Sequence, residues 1–170
     1  IDDDNNGYVD DVNGWNFVEN NNIPSPNLNN EYTKTAVIHG TAVAGIIAAE
    51  GNNAFAGAGI SWHTKIMPLK AFNEKGESDT ALVAAALQYA IDNGADIINM
   101  SFVGLADSAD LENKIKEAYE KGILLVAAAG RENGGNEAIN LDVEKSYPVC
   151  SGGPNNENWV LGVAAIDEGD

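Results

Sequence analysis

The distribution of apolar and polar positions divides the chain into a polar stretch and a longer patterned stretch. Residues 1–35 are rich in Asp, Asn and Gly and include Pro24 and Pro26, a composition that favours turns and extended loops. Over residues 36–170, short apolar runs alternate with segments of helical periodicity. The sequence therefore predicts one domain over 1–170, with an acidic, loop-rich segment at 1–35 and an α/β core at 36–170.

The core consists of strands and helices that follow one another. The predicted strands lie at 65–72, 96–101, 123–129 and 159–166. The predicted helices cover 39–49, where small residues imply close packing, 78–93, which Ser78 caps and Gly94 ends, and a segment that starts at Asp107 or Ser108 and ends at Gly122. This last helix has an apolar face, Leu111, Ile115, Ala118 and Tyr119. Its other face carries the four-residue pairs Glu112 with Lys116 and Glu117 with Lys121.

The order of these elements predicts a three-layer, doubly wound, mostly parallel sheet with helices on both faces. The strand over 123–129 shows no alternation with polar residues, so we expect it to be covered on both faces. In such sheets the functional residues lie at the carboxyl ends of the strands. Here those ends are 100–102 and 129–131.

The net charge of the chain limits the classes of partner that it is expected to bind. A net charge of −17, from 26 acidic and 9 basic residues, would repel nucleic acid and anionic membrane and attract cations. No apolar run is long enough to span a bilayer, and Cys150 is the only cysteine, which excludes an intrachain disulfide. We therefore expect neither nucleic acid nor membrane as a partner, although such acidity also occurs merely to aid solubility.

Oxygen-bearing side chains recur at the beginning of the acidic segment. The candidate metal ligands are Asp2, Asp4, Asn6 and Asp10. Together with Gly7 they follow the spacing of an EF-hand-like calcium loop, in which alternate oxygens converge on a hard cation. The twelfth position is Asn13 instead of a bidentate Glu, so a true EF-hand is not expected. A loop that binds structural calcium and an unliganded acidic turn are both compatible with this pattern.

His39 begins the most informative segment, residues 39–49. A histidine near an apolar helix is usually structural. At a helix start, however, the helix dipole disfavours the charged ring, which favours a neutral imidazole able to act as a general base. The small residues that follow, Gly40, Ala44 and Gly45 among them, would let the helix lie deep against a sheet.

This segment resembles the histidine motif of the subtilisin-like serine peptidases, the subtilases or peptidase family S8. Further resemblances occur in the family's order: 97–101 is similar to the strand that lines the substrate groove, 125–130 to the strand below the oxyanion hole, and 147–148 with 159–165 to the later part. Residues 2–15 resemble an acidic insertion of many such peptidases. The resemblance implies the doubly wound subtilisin-like fold, peptide or protein substrates, and a secreted or extracellular protein.

The resemblance also implies roles for individual residues. His39 would be the base of a Ser-His-Asp triad that hydrolyses peptide bonds. The matching substrate-binding positions are Gly76, Ser101, Phe102, Val103, Ala128 and Gly130. Gly76 is equally compatible with an ordinary turn.

The chain departs from the family pattern in several places. Residues 1–38 contain no strand ending in the triad aspartate, and nothing after Gly130 resembles the serine segment. We therefore expect a truncated domain that is inactive alone. Arg131 occupies the oxyanion-hole position, where the family has Asn; loss of that donor costs about a hundred- to a thousandfold in rate. Val103 stands where the groove strand usually has Gly, and its branched side chain would crowd a peptide.

Two other functions remain compatible with these departures. One is a non-catalytic domain that binds a peptide or partner along the groove strands, and the other is a calcium-binding structural module. The chain opens at Ile1 without a positively charged, apolar leader, which fits either removal of a signal peptide or a sequence that starts inside a domain.

Overall fold

The computed structural model describes residues 1–29, 34–55, 57–104, 106–130 and 139–166, with the main chain alone at 34–36. The helices are α1 Lys34–Ala48, α2 Thr80–Asp92 and α3 Ala109–Glu120. The strands are β1 Trp15–Asn16, β2 Leu69–Lys70, β3 Ile97–Met100, β4 Leu124–Ala128, β5 Gly152–Gly153, β6 Glu157–Asn158 and β7 Val160–Val163. The chain divides into two units, Ile1–Ser78 and Asp79–Asp170.

The second unit contains a parallel sheet with the order β3–β4–β7. Met100 of β3 is in register with Ala127 of β4, and Ala128 of β4 is in register with Val163 of β7. The main-chain N–H of Ala129 donates to Val163 O at 2.8 Å, which continues the β4–β7 pairing beyond the strand. Parallel strands joined through helices confirm the α/β fold class.

The core of the second unit forms where α3 packs against β4 and α2 packs against α3. Of the four residues predicted for the buried face of α3, Leu111, Ile115 and Ala118 are 1%, 0% and 0% exposed, whereas Tyr119 is 39% exposed. Met100 and Leu125 complete this core from the sheet. The helical periodicity of the sequence therefore located three of the four residues of this face correctly, and the prediction for Tyr119 is wrong because that position lies at the exposed margin of the face.

Two details of these helices differ from the predictions. Asp79 caps α2 instead of Ser78: its side chain accepts from Leu82 N at 2.8 Å, while Ser78 Oγ donates to Ala71 O. In α3, Lys121 pairs with Glu117 at 3.0 Å as predicted, whereas Lys116 pairs with Glu120 at 3.6 Å. The predicted partner of Lys116, Glu112, instead accepts a hydrogen bond from Gly152 N.

The expectation that β4 is covered on both faces is wrong. Burial alternates along β4, because α3 covers the side of Leu125 and Ala127 while the opposite side faces outward. We call the outward surface the open sheet face; its large apolar residues are Ile97, Leu124, Leu161 and Val163, at 61%, 47%, 55% and 52% exposure.

In the first unit, β1 and β2 form a short parallel pair with Trp15 opposite Leu69. Trp15 is buried and meets the ring of Tyr8 edge-on, with 5.0 Å between centroids. The predicted strand over 65–72 shortens to two residues, because β1 offers only two residues for pairing. Within the described residues, no helix has the length and apolar character needed to cross a bilayer.

Candidate functional site

His39 lies on α1, but not at its start. The helix begins at Lys34, so the prediction that it begins at His39 is wrong, and His39 occupies the second turn. The electrostatic effect of a helix dipole on a charged group falls off within the first turn. The dipole therefore gives no reason to expect a neutral ring at His39. The His39 side chain is exposed, so its ring is open to solvent and not sealed in an interior.

The close packing predicted for this helix is also not observed. Every described side chain of α1 is exposed or half-buried, and Ile46 is 65% exposed. The carboxyl end of α1 is held by the main chain of 59–61: Ile60 N and Ser61 N donate to carbonyls of its last turn at 3.0 and 2.9 Å, and Gly59 N donates at 2.8 Å to the carbonyl of the residue after the helix. A Cβ atom on Gly59 would lie 2.4 Å from Ala49 N, so only glycine permits this approach. The end of the helix is therefore fixed while its sides remain accessible.

The predicted groove residues of the second unit lie together. Ser101, Phe102 and Val103 directly follow β3, and Ala128 and Gly130 lie at the end of β4. Because β3 and β4 are parallel neighbours, these two segments leave the same edge of the sheet. The sequence-based prediction that the two strand ends are adjacent is confirmed.

A direct packing contact links these strand ends. A Cβ atom on Gly130 would lie 3.3 and 3.5 Å from the two methyl carbons of Val103, and 3.1 Å from Cδ1 of Ile139. Gly130 has a φ of +87°, which a residue with a side chain rarely adopts. The Val103 side chain therefore lies against the Gly130 main chain. Sequence reasoning missed Ile139, because no periodicity connects it with either strand.

Gly76 lies in a tight turn of the first unit and has a φ of +79°. Asn73 closes the turn: its side-chain oxygen accepts from Lys75 N at 2.9 Å and from Glu77 N at 3.0 Å. His39 and Gly76 thus belong to the first unit, and the strand-end residues belong to the second. Arg131, predicted at the oxyanion position, lies outside the described residues.

The acidic loop at the start of the chain is organised around the main chain of Asn6 and Gly7. Asp2 accepts from Asn6 N at 3.1 Å and from Gly7 N at 2.9 Å, and Asp4 accepts from the same Asn6 N at 3.3 Å. The carboxylates of Asp2 and Asp4 therefore converge. Asp10 instead pairs with the amino group of Ile1 at 2.7 Å. In the part of the chain that the structure describes, no three His, Cys, Asp or Glu side chains are grouped as metal ligands.

Tyr147 lies among acidic groups of the second unit. Burial raises the pKa of its phenol, and the charges of Asp107, Glu112 and Cys150 act in the same direction. The nearby Ser151 hydroxyl is buried and has no hydrogen-bond partner among the described residues. This environment favours the neutral phenol.

The model of the subtilase family, Peptidase S8, matches residues 2–170. The chain belongs to the subtilase family. The resemblance seen at His39 and at the two strand ends is thereby confirmed at the level of the family.

Individual subtilases show the same relationship. The chain is 37% identical over 159 residues to a thermophilic serine proteinase of Bacillus sp. (strain AK1), covering 94% of this chain and 34% of that protein. It is 36% identical over 139 residues to thermitase of Thermoactinomyces vulgaris, covering 82% and 46%. It is 36% identical over 164 residues to the halolysin-like extracellular serine protease Nep of Natrialba magadii, covering 96% and 26%. The chain thus spans less than half the length of each of these subtilases.

Proposed function

We propose that this subtilase chain is part of a serine endopeptidase in which His39 is the general base and the ends of β3 and β4 hold an extended peptide. The observation that carries the proposal is the pairing of β3 with β4, which brings the two groove segments to one edge of the sheet. Family membership supplies the reaction class. The exposed His39 ring supports the proposal, because a general base must reach a substrate.

The 170 residues alone do not hydrolyse peptides in this proposal. They contain no segment of the type that supplies the family's aspartate or nucleophilic serine, and hydrolysis by a triad needs all three groups together. With a neutral imidazole, His39 would accept the proton of the attacking serine and return it to the leaving amine. We propose peptides or proteins as substrates and a secreted protein, as the name of the extracellular relative Nep suggests.

Labelling by a fluorophosphonate probe tests this proposal. The probe reacts with a serine only where a base has activated it, so the full-length protein should be labelled at a single serine and should cleave an unfolded protein substrate. His39→Ala should lower both labelling and cleavage by at least about a thousandfold. The 170-residue chain alone should remain unlabelled, as intact mass would show.

The second histidine of the chain provides the control. His63 is also exposed and belongs to the same unit, so His63→Ala changes the histidine content equally without touching the proposed base. It should retain full labelling. Equal labelling of the two variants, or no labelling of the full-length protein, would contradict the assignment of His39.

A non-catalytic peptide-binding domain is the second candidate. Two features favour it. The Val103 side chain lies against Gly130, and the chain has Arg131 where the family has Asn. Both positions would contact a substrate. If the full-length protein binds a peptide without hydrolysing it, this candidate is favoured over the peptidase.

We further propose that the acidic loop binds structural calcium. The convergence of Asp2 and Asp4 supports it, because two carboxylates near one main-chain N–H offer oxygen ligands to a hard cation. Calcium should raise the melting temperature, and Asp2→Asn with Asp4→Asn should abolish that rise. Titration calorimetry without a heat of calcium binding would contradict this role.

A further inference from the structure

Four asparagines of the chain are followed directly by a glycine, namely Asn6, Asn13, Asn93 and Asn133. In such a pair the main-chain nitrogen of the glycine can attack the side-chain carbonyl carbon of the asparagine, and the glycine has no side chain to hinder the approach. Asn133 lies outside the described residues. Because the other three pairs share the same chemistry, differences in their reactivity depend on the hydrogen bonds that hold the reacting groups.

Asn6 and the glycine after it are held on every side. The side-chain nitrogen of Asn6 donates to Asp4 at 3.1 Å, and its side-chain oxygen accepts from Tyr8 N at 2.8 Å. The main-chain nitrogen of Gly7, which is the attacking atom, donates to Asp2 at 2.9 Å. The nitrogen and the carbonyl carbon therefore cannot approach each other unless several of these hydrogen bonds break together.

Asn93 is held at the end of α2. Its side-chain nitrogen and its main-chain N–H both donate to Tyr89 O at 3.0 Å. The nitrogen of Gly94 donates to Ile91 O at 3.3 Å. Reaction at this pair therefore requires the carboxyl end of the helix to unwind.

Asn13 lies exposed in the turn of residues 11–14. In the described part of the chain its side-chain amide makes no hydrogen bond. A single main-chain hydrogen bond, from Gly14 N to Asp11 O at 2.8 Å, holds the attacking nitrogen. Val12, the residue before Asn13 in the turn, is 90% exposed, so the turn can open toward solvent without exposing an apolar core.

We propose that Asn13 is a site of spontaneous modification, which loses its side-chain amide faster than Asn6 or Asn93 in the folded chain because its amide lacks the hydrogen bonds that hold theirs. The nitrogen of Gly14 loses its proton and bonds to Cγ of Asn13. The bond from Cγ to the amide nitrogen breaks, and that nitrogen takes up a proton and leaves as ammonia. Water then opens the resulting cyclic imide at either of its carbonyl carbons, which gives aspartate or isoaspartate.

Isoaspartate would change a closely packed part of the first unit. It lengthens the main chain by one methylene directly before Gly14, where a Cβ atom would lie 2.0 Å from Pro68 O. The same oxygen accepts from Trp15 N at 3.2 Å, and Trp15 is buried. Both products also add a carboxylate to a segment that already contains Asp10 and Asp11. We therefore expect the modified chain to be less stable than the unmodified chain.

Incubation of the 170-residue chain in a mildly alkaline buffer, followed by peptide mapping with mass spectrometry, tests the proposal. In the folded chain, conversion at Asn13 should be at least about tenfold faster than at Asn6 and Asn93, since each hydrogen bond that must open slows the reaction. In concentrated urea the three rates should become similar. Conversion at Asn13 that is no faster than at the other two sites in the folded chain would overturn the proposal, as would a preference of the same size in urea.

Asp2→Ala tests the protective role of the hydrogen bonds. It removes the acceptor of Gly7 N and should raise the rate of conversion at Asn6 by at least about threefold, with no change at Asn13. Asp3→Ala is the matched control, because Asp3 is exposed, and within the described residues its side chain makes no hydrogen bond. It should leave both rates unchanged. An unchanged rate at Asn6 in the Asp2→Ala chain would overturn the proposed cause of the difference.

Asn13→Gln tests the consequence for stability. Glutamine would have to form a six-membered ring, which closes far more slowly, so this variant removes the site while it keeps a side-chain amide. After the same incubation the unmodified chain should unfold at a lower urea concentration than before, whereas the Asn13→Gln chain should keep its midpoint. Equal losses in the two chains would overturn the inferred effect of the modification on the first unit.

Discussion

Gly7 and Gly14 allow the effect of a steric clash to be separated from that of backbone conformation. Their φ angles are nearly the same, +92° and +94°, in the region that side-chain-bearing residues rarely adopt. A Cβ atom on Gly7 would meet no heavy atom within 4 Å, whereas a Cβ atom on Gly14 would lie 2.0 Å from the carbonyl oxygen of Pro68. Replacing each glycine by alanine therefore adds the same cost of backbone conformation at both positions, and it adds a steric clash only at Gly14.

The loss of unfolding free energy expected for Gly14→Ala follows from the groups that the clash would displace. The left-handed conformation alone costs alanine about 1 kcal/mol at either site, after the lower entropy of the unfolded chain is included. Relieving the contact with Pro68 O requires a shift on the order of 1 Å. That shift would break the hydrogen bond from Trp15 N to Pro68 O, 3.2 Å long, which contributes about 1 kcal/mol. Loosened packing of the buried Trp15 would add about 1 kcal/mol.

We therefore expect Gly14→Ala to lower the free energy of unfolding by about 3 kcal/mol and Gly7→Ala by about 1 kcal/mol. Urea unfolding of the 170-residue chain, followed by tryptophan fluorescence, measures both. A Trp159→Phe background confines the signal to Trp15 and Trp62 of the first unit. EDTA in the buffer removes any effect of calcium at the acidic loop. Equal losses for the two variants would refute the steric argument.

Three further predictions concern stability. Ile115→Ala should cost about 2–5 kcal/mol of unfolding free energy because Ile115 is fully buried, whereas Leu124→Ala should cost less than about 1 kcal/mol; equal costs in urea unfolding would contradict this packing. Hydrogen bonding from Lys70 lowers the pKa of Glu74, so the pair stabilises the fold above the unfolded pKa of Glu74 and this stabilisation is lost as pH falls through the folded value. Glu74→Gln should thus remove about 0.5 kcal/mol at pH 7 and nothing at pH 2, a difference that thermal melts across this range would detect or disprove. Because burial raises the pKa of Tyr147, stability should decline as pH rises above the unfolded tyrosine value near 10, and Tyr147→Phe should flatten that decline in melts between pH 8 and 11.

The fold was predictable where the sequence has one dominant period. The apolar spacing of α3 identifies Leu111, Ile115 and Ala118, which are buried, and fails only at Tyr119, which is 39% exposed. The start of α1 was not predictable from the small residues after His39, because those residues lie in the middle and last part of a helix that begins at Lys34. The run at 123–129 indicated a strand but not how many of its faces are covered, since burial depends on which elements pack against it.

The candidate site was predictable to a similar extent. Strand order alone placed Ser101 and Gly130 at one edge of a sheet, because parallel neighbours end together. The contact of Val103 with Gly130 depends on the conformation of two loops, and local sequence does not determine it. Ile139 joins them after a stretch without periodicity, so only the three-dimensional structure reveals it.

The open sheet face has a consequence for the behaviour of the chain in solution. Four large apolar side chains on three adjacent strands form a continuous surface of the kind that draws protein molecules together. The net charge of −17 opposes this attraction, and the range of the repulsion shrinks from about 30 Å at 0.01 M salt to about 8 Å at 0.15 M. Dispersed molecules at low ionic strength should therefore cluster as salt is added, the reverse of assemblies held together by ion pairs.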